Sequence, residues 1–263
     1  MNKVVIITGG SSGIGLCTAK ELAKAGCRVY EFSRRDSDVE GITHLCCDVT
    51  SDEQVQSAVQ QVLTAEGKVD ILINNAGFGI SGAVEFTETE EARRLFDVNF
   101  FGMVRMNRAV LSAMREAGGG RIINLSSVAA PVPIPFQTYY SATKAAVNSY
   151  TMALANEVRP FGITVCAVMP GDIRTGFTAA RRKNPEGDEI YHGRISRSVA
   201  GMEKDEQTGM DPAKAGRFIA GVALGRSRKP LRTIGVPYQC AVFLTKILSA
   251  RCLNGLVGKI YAK

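Results

Sequence analysis

The sequence predicts a single α/β domain in which a parallel sheet is covered by helices on both faces. Three observations carry this. Short β-branched runs alternate strictly with longer helical patterns; a glycine-rich turn joins the first run to the first helix; and no repeat or low-complexity tract divides the 263 residues.

Taken in order, "VVIIT" (4–8) is a buried strand, and "GIGLCTAKELAKAG" (13–26) has the apolar spacing of a helix packed on it. "RVYEFS" (28–33) is the second strand. "VDILINNAG" (69–77) is a further strand ending in a turn, and "EEARRLFDVNFFGMVRMNRAVLSAM" (90–114) reads as one long helix. "RIINLSS" (121–127) is another strand, a helix runs from Tyr140 to about Glu157, and "GITVCAVMP" (162–170) is a strand stopped by Pro170. Residues 176–210 are polar and break the rhythm, which predicts a flap over the binding site. A capped helix then follows in "DPAKAGRFIAGVAL".

Composition narrows the functional classes. Hydrophobic residues make up 45% and charged residues 22%, as in a globular protein that buries a large core. Seven scattered cysteines without a CxxC pair, and only two histidines, argue against a structural zinc site and for a reducing cytoplasm. The amino terminus moves from polar residues into a β-branched run too short for the apolar core of a signal peptide. The net charge of +7 belongs to the end of the chain: residues 1–211 carry 22 basic against 25 acidic groups, and everything from Pro212 onward has ten basic groups and no acid. With no DNA-binding motif alongside it, that distribution sets nucleic acid aside.

"TGGSSGIG" (8–15) lies between strand and helix. Glycines at 9, 13 and 15 allow a tight turn and close backbone approach to a pyrophosphate, and the amino end of the helix attracts anions. At the end of the second strand an acid would bind both ribose hydroxyls and repel a 2′-phosphate. Ser33 and Arg34 stand there, with Arg35 behind. A guanidinium binds a phosphate by charge and stacks on adenine, so NADP(H) is favoured over NAD(H).

In "TYYSATK" (138–144), residues four apart share a helix face, which pairs Tyr140 with Lys144 and not Tyr139 with Lys144. A neighbouring ammonium stabilises a phenolate and is expected to draw the tyrosine's pKa toward working range.

The set of TGxxxGxG at 8–15, "NNAG" at 74–77, Tyr140-Ser-Ala-Thr-Lys144 and "PGDIRT" at 170–175, in this order, resembles the short-chain dehydrogenase/reductase family. "VYEFSRR" (29–35), the "SVAAP" run (127–131) and the long carboxyl end look most like its 17β-hydroxysteroid and retinol dehydrogenase branch. The resemblance implies a doubly wound, Rossmann-like domain of about seven parallel strands spanning 1–263, assembled as a homodimer or homotetramer. It implies Tyr140, Lys144, Ser127 and Asn99 as catalytic positions. Strand alternation sends Ser126 to the opposite face from Ser127. For the cofactor it implies Gly9, Ser11, Ser12, Gly13, Ile14 and Gly15 at the phosphates, and Ser33, Arg34, Asp48 and Val49 around adenosine. Asn75, Ala76 and Gly77 fall at the central strand end, and Pro170, Gly171, Ile173 and Thr175 on the nicotinamide side.

The activity implied is hydride transfer between nicotinamide and a carbonyl or secondary alcohol, with Tyr140 as proton donor and no metal. A non-catalytic NADP(H)-sensing protein could share the fold, but the filled Ser127, Tyr140 and Lys144 positions argue against it. The loop "VAAPVPIPFQTY" (128–139) is apolar. It suits either a hydrophobic substrate of steroid, retinoid or lipid type, or core and subunit packing. The basic, apolar segment 226–263 fits a helix closing the pocket, a subunit contact, or peripheral contact with an anionic membrane.

Overall fold

The computed structural model describes residues 2–262. It opens with β1 (Val4–Thr8), α1 (Gly13–Lys24), β2 (Arg28–Ser33), β3 (Ile42–Cys46), α2 (Asp52–Glu66), β4 (Ile71–Asn74) and the two-residue β5 (Ile80–Ser81). Next come α3 (Thr89–Phe96), α4 (Gly102–Glu116), β6 (Gly120–Leu125), α5 (Thr138–Glu157) and β7 (Ile163–Met169). The chain finishes with α6 (Phe177–Ala180), β8 (Arg182–Lys183), α7 (Arg194–Gln207), α8 (Pro212–Leu224), β9 (Leu231–Thr233), α9 (Val236–Ile247) and α10 (Ala250–Tyr261).

Seven strands form one parallel sheet in the order β3-β2-β1-β4-β6-β7-β9, so the strand order reverses between β1 and β4. β5 and β8 pair separately. Alternation along β1 divides the core: Val4 and Ile6 face α2, α4 and α5 through Val55, Val59, Met106, Val110 and Leu154. Val5 and Ile7 face α1 and α8 through Ala19, Leu22, Ala215 and Ile219. α1 and α8 meet at Gly216, where an added Cβ would fall 2.7 Å from the Cys17 carbonyl carbon. The predicted layers are therefore present.

Three details differ from the expectation. β3 and β9 are short, half-buried strands, lying at the two sheet edges, and their sequences lack the long apolar run that marks the central strands. The predicted helix over 90–114 is two helices joined by a π turn, Asp97–Phe101. The polar interval 176–210 holds α6, β8 and α7; Ile195 and Met202 give α7 its buried side.

The carboxyl ends of β1 and β4 open a crevice where their crossovers diverge, which is where ligands bind in such sheets.

Candidate active site

The first turn is built by close packing of backbone. Gly9 takes φ +64 and Gly13 φ +56, conformations that L side chains rarely adopt. A Cβ on Gly15 would lie 2.3 Å from the Gly9 carbonyl oxygen, so the start of α1 seats directly on the turn. Ser12 occupies the N-cap with no side-chain bond to the helix, and the first turn of α1 contains no acid. Its N–H groups thus face the cleft uncompensated. Asn75 ties the turn to β4: its Nδ2 donates to the Thr8 and Gly9 carbonyls at 3.1 and 2.9 Å, and the Asn75 and Ala76 N–H groups both donate to Thr8 Oγ1 at 3.0 Å.

At the adenosine end, Ser33, Arg34, Arg35, Asp48, Val49 and Arg94 line the cavity. Arg34 is largely exposed, with Nη1 3.9 Å from Asp48 Oδ2. Burial pushes the Asp48 carboxyl up, but hydrogen bonds from the Thr50 N–H and hydroxyl, with Arg34 and Arg94 nearby, hold it below its ordinary value. The Ser33 hydroxyl is engaged internally, 3.0 Å from Glu31 Oε1 and 2.9 Å from the Arg35 carbonyl. Glu31 was not anticipated: it is a buried carboxylate beneath Gly10, with His44 Nδ1 at 2.5 Å. Arg94 was also missed, because its place inside a helical pattern gives no sign of which way it turns.

Ser126 and Ser127 follow the end of β6, and both border the cavity. Ser126 is buried and its Oγ is turned to the Lys144 carbonyl, to which it donates at 3.1 Å, whereas Ser127 hydrogen-bonds the Tyr140 phenol. Tyr140 and Lys144 lie on one face of α5, with Lys144 Nζ 5.6 Å from the phenol ring centroid. Tyr139 faces a separate shallow depression beside α3.

The expected lowering of the tyrosine is not what this arrangement produces. Burial pushes the Tyr140 phenol up to about 12, against the opposing effects of Ser127 and Arg181. Lys144 Nζ donates instead to the Leu125 carbonyl at 2.8 Å, and burial lowers its pKa to about 8. With its charge turned to a carbonyl and set beside the ring, the lysine does not offset the desolvation of the phenol.

Asn99 sits on the π turn, buried. Its Oδ1 accepts from the Phe78 N–H at 3.0 Å and its Nδ2 donates to the Phe78 carbonyl at 2.9 Å, which clasps the segment after Gly77. Gly77 lies directly over it: an added Cβ would fall 3.0 Å from Asn99 Oδ1.

The glycine turn, Ser33, Arg34, Asn75–Gly77, Ser127, Tyr140 and Lys144 line one cavity of about 1140 Å³, while Gly15 and Asn99 are not part of its lining. Pro170, Gly171, Ile173 and Thr175 line it beside Tyr140, and a Cβ on Gly13 would stand 3.6 Å from Thr175 across the cleft. The cavity continues past the Tyr140 face along Met202 of α7, Leu244 of α9, and Leu253, Val257 and Ile260 of α10. Segment 226–263 thus supplies a wall of the pocket. Gly171 lies against Tyr238 of α9, where a Cβ would meet the ring at 2.3 Å. The glycine turn, the uncompensated helix end, the guanidinium cluster and the volume together fit a nicotinamide dinucleotide. Among the described residues, no group of three or more His, Cys, Asp or Glu is gathered as metal ligands, and no helix is long and apolar enough to cross a membrane.

The family model described as short chain dehydrogenase matches residues 3–186. The chain is 44% identical over 234 residues to a 3-ketodihydrosphingosine reductase of Bacteroides thetaiotaomicron, covering 88% of this chain and 87% of that protein. Among solved structures it is similar to a short-chain dehydrogenase from Streptomyces avermitilis, with a TM-score of 0.83, 31% identity, and 98% and 97% of the two chains covered. It is also similar to ElxO with NADP bound, with a TM-score of 0.75, 27% identity, and 91% and 100% covered.

Proposed function

The chain belongs to the short-chain dehydrogenase family, and on that premise we propose that it is an NADPH-dependent reductase of a long-chain ketone. One observation carries the reading: a single cavity joins the glycine turn, Ser127 and Tyr140, and an apolar arm walled by α7, α9 and α10. A dinucleotide needs the first part, a carbonyl the second and an alkyl chain the third.

A nicotinamide held in this cavity would supply the hydride. Tyr140, whose high pKa keeps the phenol protonated at neutral pH, donates its proton to the carbonyl oxygen, which suits reduction over oxidation. Ser127 hydrogen-bonds the same oxygen as charge develops on it. Lys144 holds the nicotinamide ribose, and Asn99 is a positioning residue that fixes the backbone after Gly77. Arg34, with Arg35 and Arg94, favours the 2′-phosphate of NADPH. Similarity to the 3-ketodihydrosphingosine reductase of Bacteroides thetaiotaomicron makes 3-ketodihydrosphingosine the first ketone to try.

The test follows cofactor absorbance with NADPH and NADH against 3-ketodihydrosphingosine, steroid ketones, retinal and short diketones. Turnover with NADPH and the long-chain ketone is expected, with Tyr140→Phe lowering kcat by about 10²–10⁴-fold while NADPH still binds. Faster turnover with NADH would overturn the cofactor assignment, and turnover confined to short ketones would overturn the substrate assignment.

A further inference from the structure

Asp172 is placed where the described mechanism has no use for a carboxylate. It follows Gly171 at the end of β7, lines the cavity and is partly buried. Its one hydrogen-bond donor among the described residues is Tyr238, whose hydroxyl reaches Oδ2 at 2.7 Å. The ionisable groups that bear on it are Asp205, Glu206, Arg181 and Tyr261. Arg181, the sole cation among them, is committed to Glu206, which also accepts from Thr178 Oγ1 at 2.6 Å, and it packs over the Phe177 ring at 5.7 Å. Arg182 and Lys183, next along the chain, pair with Glu91 and Glu203, so none of these three cations forms an ion pair with Asp172. The carboxylate therefore sits in a cavity beside two further acids, and a cation supplied from the cavity would be its natural counter-charge.

Position makes that cation specific. Asp172, Glu206 and Tyr140 line the same cavity, and Tyr140 packs at 5.8 Å between ring centroids against Phe177, the ring that Arg181 also covers. A group held by Asp172 is thus in the same cavity as the carbonyl that Tyr140 protonates. We propose that Asp172 binds the ammonium of an α-amino ketone and so selects 2-amino-3-ketones over plain or N-acylated long-chain ketones. This rests on the reductase reading above. In such a substrate the amine is one carbon from the reacting carbonyl, so a carboxylate of the cavity that Tyr140 lines can hold it while the alkyl chain runs along α10. An N-acyl group removes the charge and leaves Asp172 desolvated without a counter-charge.

The experiment compares kcat/KM with NADPH for 3-ketodihydrosphingosine, its N-acetyl derivative and the plain 3-ketone of equal length, using wild type, Asp172→Asn and Tyr238→Phe. Calorimetric binding of dihydrosphingosine and N-acetyl dihydrosphingosine to the NADPH-loaded protein provides a readout independent of turnover. Wild type is expected to favour the free amine by at least about tenfold in both assays. The ratio should fall to near one in Asp172→Asn and persist in Tyr238→Phe. Equal treatment of all three ketones by wild type would overturn the inference and leave the reductase reading standing; so would an Asp172→Asn variant that loses all three activities in proportion. Selective amine binding with no ketone turned over would support Asp172 as the amine site and overturn the reductase reading. If Asp172→Asn does not fold, the wild-type ratios alone decide.

Discussion

Lys144 combines two demands that oppose each other. Its buried ammonium has a pKa of about 8, below the ordinary 10.5, so between these values the unfolded chain holds a proton that the folded chain has lost. Stability gained from this group therefore rises with pH across that window, and below about pH 8 the full cost of burying the charge is present. Lys144→Met should accordingly raise stability at pH 7 by about 1–3 kcal/mol, with the gain shrinking from pH 8 to 10.5, as thermal melts at several pH values would show. Turnover should be lost in the same variant. In wild type, kcat/KM for reduction should fall above about pH 8 as Lys144 gives up its proton, whereas the phenol stays protonated far beyond that point. A profile flat through pH 9 would show that the ammonium is not required.

Among the elements, the π turn at Asp97–Phe101 and the last helix do the most to shape the site. A regular helix would carry Asn99 round to another direction; the extra residue in the turn points it at Phe78. The sequence "DVNFFG" gave Asn99 through resemblance, but helical periodicity cannot report a π turn, because one inserted residue leaves both flanking patterns intact. α10 is a different case. Its apolar residues are readable in the tail, yet the choice between pocket, subunit and membrane depends on where a long connection returns, and only the fold supplies that. Leu253 lines the arm in half-buried contact. Leu253→Asp should raise KM for long-chain ketones at least about tenfold while shifting that for short diketones far less, since a carboxylate there disfavours only the chain that must lie beside it. Steady-state kinetics over a chain-length series would check this.

For the whole molecule, the sequence disclosed the layers and most of the cleft, because glycine turns and four-residue helical spacing are local signals. It did not disclose the pocket's charge. Asp172, Glu206 and Arg181 lie in separate stretches, and only the return of α6 and α7 brings Asp172 and Glu206 to one cavity and Arg181 to Glu206 and to the Phe177 ring on which Tyr140 packs. Nor could spacing anticipate that desolvation would govern the Tyr140 phenol, since burial is a property of the assembled cavity.

The strand order has a bearing on how the protein is made. β1 is translated first and lies inside the sheet; β2 and then β3 add on one side of it, and β4, β6, β7 and β9 add in turn on the other. Each new strand thus finds an open edge, and none has to separate neighbours already paired during synthesis. The exposed border moves outward with the ribosome until β9, three residues long, ends it on the β7 side. A nascent chain arrested after residue 160 should present the bare edge of β6, whose apolar run is an invitation to pair with other chains, and should aggregate where the full chain does not.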